Sequence, residues 1–249
     1  MDLRVLGSGP PEPFLSARDL FETEHDLTLP VEVRIRDDPD ERTWAGHYDD
    51  RHVLNISRPA AMSAMTRELA LHEFAHMARY EEGHPSHIQS TAEALVLALA
   101  GRSVERRKLL HCYQIANHMK DIYADDITLD VAPADKLVAF LESSLAAALA
   151  DRPRDRPGWV RATPAADPEI TAVNAAFALA LCERHDLVAP DHRLYQLANV
   201  AAGDAPGVRV DRFKEHFSSL ARETNTSEYR KALVGVTREY VVAPGQAAD

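Results

Sequence analysis

Leu69-Ala70-Leu71-His72-Glu73-Phe74-Ala75-His76-Met77-Ala78 is the stretch around which this chain is organised. On a helix, residues four apart share a face, so His72 and His76 can direct two imidazole nitrogens at one point while Glu73 stands to one side. That is the pattern of a zinc site with a general base beside it. In a chain with 12 histidines among 249 residues, an accidental H-E-x-x-H is expected in roughly one such sequence in a few tens, so the neighbours decide. Ala70, Leu71, Phe74, Ala75, Met77 and Ala78 make the helix apolar on nearly every side, as a buried helix is. A carboxylate and two imidazoles in its middle are costly to desolvate unless something pairs with them, and a metal ion does so.

Upstream, Val31-Glu-Val-Arg-Ile-Arg36 alternates apolar and polar residues, the mark of a half-buried strand. Trp44 to Tyr48 and His52 to Ile56 read as a hairpin turning on Asp49-Asp50-Arg51. Before them, Pro10, Pro11 and Pro13 exclude regular structure, and Ala17 to His25 is a short helix at most. Ser57 and Pro59 are expected to cap and open the H-E-x-x-H helix, with Gly83 and Pro85 ending it. His84 and His87 lie just past that stop, where a loop histidine is more often solvated than a ligand.

Downstream, Thr91 to Ala100 reads as a short helix opened by Ser90-Thr-Ala-Glu93, an S-x-x-E capping box that already accounts for Glu93. In the helix from Ser103 to about Asp126, His111, Gln114, His118, Asp121 and Asp125 fall on one face. Short polar groups of this kind suit an internal site better than open water. Further helices are expected over Pro133 to Ala150, Glu169 to Glu183, Arg193 to Ala202 and Val210 to Glu223, with a last strand over Arg238 to Ala243. Pro153, Pro157, Pro164 and Pro168 mark a linker over 152–168, dividing a metal-binding domain of residues 1–151 from a helical subdomain of 169–249. The expected class is α+β and mainly helical, with a small N-terminal sheet, the H-E-x-x-H helix and a helical C-terminal half.

From Pro30 to Asp130 the chain resembles the zincin metallopeptidases, on the H-E-x-x-H of His72 to His76 and the strands before it. It resembles the gluzincin-like branch in particular, whose third ligand is a carboxylate on a later helix. The metzincin pattern would need Gly at Arg79 and His at Glu82. The pattern also resembles an uncharacterised archaeal family of H-E-x-x-H proteins. Asp121-Ile-Tyr-Ala-Asp125 is similar to the gluzincin E-x-x-A-D segment, with Asp where Glu is usual. The resemblance implies that Asp121 completes the zinc site, Glu93 being the alternative, with Asp125 and His118 behind the ligands. It further implies one zinc ion per chain, a peptide or protein substrate, Glu73 as general base, and a cleft lined by the last strand before the helix, whose edge can pair with an extended substrate backbone.

Composition bounds the alternatives. A formal charge of −11 disfavours nonspecific binding to nucleic acid or anionic lipid. No apolar run approaches the roughly 18 residues that cross a bilayer, and no signal sequence opens the chain, so a cytoplasmic protein is expected. Cys112 and Cys182 lack C-x-x-C spacing and read as buried thiols. Two other readings use the same residues: a non-catalytic regulatory or binding protein with a structural zinc closed by His84 or His87, and a non-haem iron site of two histidines and a carboxylate.

Overall fold

The computed structural model describes residues 1–151 and 167–242. The protein is α+β and mainly helical, with a small N-terminal sheet and a helical C-terminal half. Contacts divide it into two compact units: Met1–Ile88 with Lys120–Lys136, and Gln89–Met119 with the chain from Leu137 onward. The division therefore does not fall at the expected linker, which lies outside the described residues except for Asp167 and Pro168. Among the described residues no helix is long and apolar enough to cross a membrane.

The first unit is built on a four-stranded sheet, β1 (Leu3–Leu6), β2 (Val31–Arg36), β3 (Trp44–His47) and β4 (His52–Ser57), in the order β1-β2-β4-β3. β1, β2 and β4 run parallel; β3 pairs antiparallel with β4 and closes one side as an edge. The alternation read in β2 is what burial shows, with Val31, Val33 and Ile35 inside. The hairpin also forms as read, but its second strand, β4, is central and buried along its whole length. β1 was not expected, nor was a helix through Pro13, which is tolerated in the first turn because no amide is needed there. β1 is joined to β2 through α1 (Glu12–Phe21), and Gly7 after it has φ +105°, where a Cβ would stand 2.6 Å from the Ile35 carbonyl oxygen. Only glycine can make that turn.

The H-E-x-x-H helix is α3 (Thr66–Glu81). Ser57 and Pro59 open a separate short helix, α2 (Arg58–Ala61), whose Ala60 amide donates to Ser57 Oγ. α3 starts anew at Thr66, whose hydroxyl donates to the carbonyls of Ala60 and Ser63. Ala70, Leu71, Phe74, Ala75, Met77 and Ala78 bury against Phe14, Phe21, the sheet, and Ala124 and Ile127 of the long helix α6 (Arg106–Val131). Phe21 and Phe74 meet edge to face at 6.0 Å. Gly83, at φ +65°, takes the left-handed residue that ends α3, and α4 (Pro85–Ile88) follows.

The last turn of α3 is tied to the sheet by Glu81. Its carboxylate accepts from the amides of Thr28 and Leu29 at 2.8 and 2.9 Å and from the Thr28 hydroxyl at 2.7 Å, and meets His52 Nε2 at 3.0 Å. Burial resists its charge, but these donors outweigh burial and hold the carboxyl below its ordinary value. Its contribution is therefore complete above that ordinary value and is lost as the pH falls through the lowered one. Glu81→Gln should cost about 1–3 kcal/mol in urea unfolding at neutral pH. The gap from wild type should close in acid; a gap unchanged at both pH values would refute the assignment.

The second unit holds α5 (Thr91–Leu99), the first half of α6, α7 (Asp135–Ala150, all but its first two residues), α8 (Pro168–Arg184), α9 (Arg193–Asp204), α10 (Val210–Ser218) and α11 (Thr226–Val242). From Arg238 to Val242 the expected last strand is the end of α11 instead, and Ala243 lies outside the described residues. Tyr229, Leu233, Val236 and Tyr240 are buried at helical spacing, and that face keeps the segment helical. Cys112 and Cys182 are fully buried free thiols, which burial raises to about 11.

Candidate metal centre

His72 and His76 project from α3 with ring centroids 4.6 Å apart and planes nearly perpendicular. Their Nε2 atoms face each other at 3.0 Å. Asp121, on the second half of α6, brings Oδ1 to 3.3 Å from His76 Nε2 and 3.8 Å from His72 Nε2. These three side chains form a cluster that could hold a metal ion. α6 is fixed against α3 by Ala124 and Ile127 in the shared core and by Arg79, whose Nε donates to the Tyr123 carbonyl at 3.0 Å.

Asp125, one turn after Asp121 and buried, meets His72 Nδ1 at 2.8 Å. An ionised carboxylate only accepts, so His72 keeps a proton on Nδ1 and presents Nε2 to the cluster. Burial opposes a charged imidazole, but Asp125, Asp121 and Glu73 outweigh it and raise His72 to about 10. The negative groups around this ring favour positive charge there, a proton on the ring included.

The donor set fits zinc. Donors held tetrahedrally at about 2.0–2.2 Å stand about 3.3–3.6 Å from one another, and the separations here are 3.0, 3.3 and 3.8 Å. The side chains of His72, His76 and Asp121 remain 26%, 15% and 23% exposed. A group bound there can keep a position open to water, as a catalytic zinc does and a structural one does not.

Glu73 is buried beside the cluster, with the Ala45 backbone amide of β3 near enough to its carboxylate to favour the charged form slightly. Burial, with Asp121, raises its pKa against the opposing pull of His76, His72 and that amide. β3 is the edge strand, so the Ala45 contact brings the open edge of the sheet alongside Glu73. Sequence reading looked to the last strand before the helix for this edge; the antiparallel return puts it one strand earlier.

The remaining expectations divide. Glu93 is exposed on α5 in the second unit; Ser90 Oγ accepts its amide at 3.3 Å, the first half of the expected capping box. His118 was expected behind the ligands. Instead it bonds Asn174 Oδ1 through Nε2 at 2.8 Å and stacks on Phe177, both on α8. Gln114 shares the same Asn174 oxygen at 2.9 Å, and His111 bonds the Tyr240 hydroxyl. The polar stripe of α6 therefore serves two environments.

His87, beyond the helix stop, brings Nε2 to 2.7 Å from His76 Nδ1. It addresses the far side of that ring and does not join the donor cluster. Sequence reading missed this role, because it depends on the turn at Gly83 folding α4 back along α3. Lys120 was missed too. Its positive charge, after burial and His76, disfavours protonation of His87.

A second group of possible donors, His111, Asp167 and Glu169, lies in the second unit. Arg107 already pairs with Asp167 at 2.6 Å and Glu169 at 3.1 Å, and Asp167 caps α8 through the Glu169 amide. Those carboxylates have a cation, so this group ties α6, α8 and α11 together.

The fold and the cluster define an α+β protein in which two histidines of one helix and a carboxylate of a later one form a set of donors able to hold a metal ion. The chain belongs to DUF5781, a family of unknown function, whose description matches residues 1–242. No curated protein and no solved structure matches it.

Proposed function

We propose that this protein is a zinc-dependent metallohydrolase, specifically a peptidase, with one zinc per chain held by His72, His76 and Asp121. The observation that carries this reading is the facing of two imidazole nitrogens at 3.0 Å, with a carboxylate oxygen within 3.8 Å of both and Glu73 buried beside them. Bound zinc would polarise a scissile carbonyl and acidify the attacking water. Glu73 takes that water's proton on its carboxylate and passes it to the leaving nitrogen. Burial and Asp121 raise its pKa, which makes the carboxylate a stronger proton acceptor.

A peptide substrate is supported by the edge of β3. An extended chain can pair with a free strand edge through its main-chain groups, and the Ala45 contact sets that edge next to the base. Trp44 and Tyr48, 43% and 46% exposed, border it. The free thiols of Cys112 and Cys182 suit a reducing compartment, and we assign the activity to the cytoplasm.

The competing reading, a zinc-stabilised binding or regulatory protein, calls for a closed site. The exposed donors and the turn of His87 toward the far nitrogen of His76 favour the hydrolase. Elemental analysis of the full-length chain should find about one zinc per wild-type molecule and a marked loss in His76→Ala. Equal zinc in the two would refute the site. The wild-type protein should also cleave members of a pooled peptide library; zinc bound without cleavage would favour the binding protein.

A further inference from the structure

Beyond the donors themselves, a chain of hydrogen bonds runs from His76 away from the cluster. His76 Nδ1 meets His87 Nε2 at 2.7 Å, and His87 Nδ1 meets Ser86 Oγ at 2.7 Å. Ser86 Oγ meets His84 Nδ1 at 2.7 Å, and the Ser86 amide donates to the same His84 nitrogen at 3.3 Å. Three of these links join groups that can either donate or accept, so no link alone has a direction. The amide supplies one, because a backbone N–H can only donate.

From that fixed end the chain resolves in one way. His84 Nδ1 receives the amide and therefore carries a lone pair. The Ser86 hydroxyl must then donate its proton to His84, leaving its oxygen to accept from His87. His87 accordingly has its proton on Nδ1 and a lone pair on Nε2, and His76 must donate from Nδ1. The Nε2 lone pair of His76 is then turned toward His72 and Asp121.

We infer that His87 is a positioning residue that fixes the tautomer and orientation of His76 for metal binding, with its own direction set by the Ser86 amide through His84. The inference rests on the proposed zinc site for its purpose but not for its tautomers, which the hydrogen bonds determine without a metal. The two metal-facing histidines are thus held by different means. His72 is backed by an anionic carboxylate from a distant helix, and His76 by an imidazole from the adjoining turn.

The site is preformed by this arrangement, since the Nε2 atoms of both histidines already face one point, 3.0 Å apart, before an ion arrives. Loss of an outer partner of this kind lowers metal affinity by about 10- to 100-fold. The turn supplies the reason for its sequence: Gly83 at φ +65° reverses the chain, and buried Ser86 brings His84 and His87 into line behind His76.

The test uses the full-length chain as wild type, His87→Ala and His87→Gln. Nitrogen-15 spectra of the metal-free protein should show neutral His76 protonated on Nδ1 in wild type. In His87→Ala the ring should shift to the Nε2-protonated form that free imidazoles prefer, and zinc affinity in chelator competition should fall by about 10- to 100-fold. The glutamine carbonyl can accept the same proton, so His87→Gln should restore the Nδ1 form and most of the affinity. A wild-type ring protonated on Nε2, or an unchanged ring in His87→Ala, would overturn the inference. Absence of zinc from wild type with the expected tautomers would instead remove the proposed activity and leave the positioning role intact.

Discussion

Glu73→Gln should lower peptide cleavage by on the order of 10²-fold or more while zinc content remains that of wild type. The two effects separate because Glu73 lies beside the donor cluster and is not one of its three members. Its neighbours in helix order, His72 and His76, are unaltered by the change, and Gln has nearly the volume of Glu. The edge strand should stay in register, because β3 is held by its pairing with β4. What Gln cannot do is take a proton from water and return it. The measurement is the cleavage rate of a peptide found with wild type, at matched zinc content. Undiminished cleavage by the variant would point to a contaminating protease and defeat the mechanism.

Asp121→Asn should remove stoichiometric zinc, a larger effect than the about 10- to 100-fold weakening expected of Asp125→Asn or another outer partner. Asp121 is the anionic member of the cluster, with Oδ1 3.3 and 3.8 Å from the two imidazole nitrogens. Its neutral amide would contribute a weaker oxygen and leave the ion's second charge unmet. Asp125 acts from the far side of the imidazole, through His72 Nδ1 at 2.8 Å, and its replacement should disturb orientation and basicity while the donor remains. Glu93→Gln should leave zinc unchanged, because Glu93 is exposed on α5, outside the cluster. If Glu93→Gln stripped the metal while Asp121→Asn retained it, the assignment of donors would be reversed.

The same residues show what was legible in the chain. The placement of His72 and His76 follows from helical periodicity, which is local: any helix through them puts them on one face. The alternation of β2 and the acidic turn between β3 and β4 are local in the same sense, and they form as read. The periodicity of α6 set Asp121 and Asp125 on one face as well. That face also carried His111, Gln114 and His118, and nothing within the helix could say that it would be shared between two units.

Sequence by itself, then, determined the α+β class, the i, i+4 pair of imidazoles with its adjoining carboxylate, and the short list of acids that could join them. Tertiary structure decided among the partners. Asp121 and Asp125 meet α3 across a separation of about fifty residues because whole apolar faces, with Phe74 and Leu71 on one helix and Ala124 and Ile127 on the other, are buried together. The open edge beside Glu73 belongs to β3 because β4 is buried between β2 and β3, an order set by sheet pairing and not by chain order. His87 reaches His76 because one left-handed glycine turns the chain back. The reason is common to all three: periodicity fixes which side chains share a face, but which faces meet depends on the burial of the entire unit.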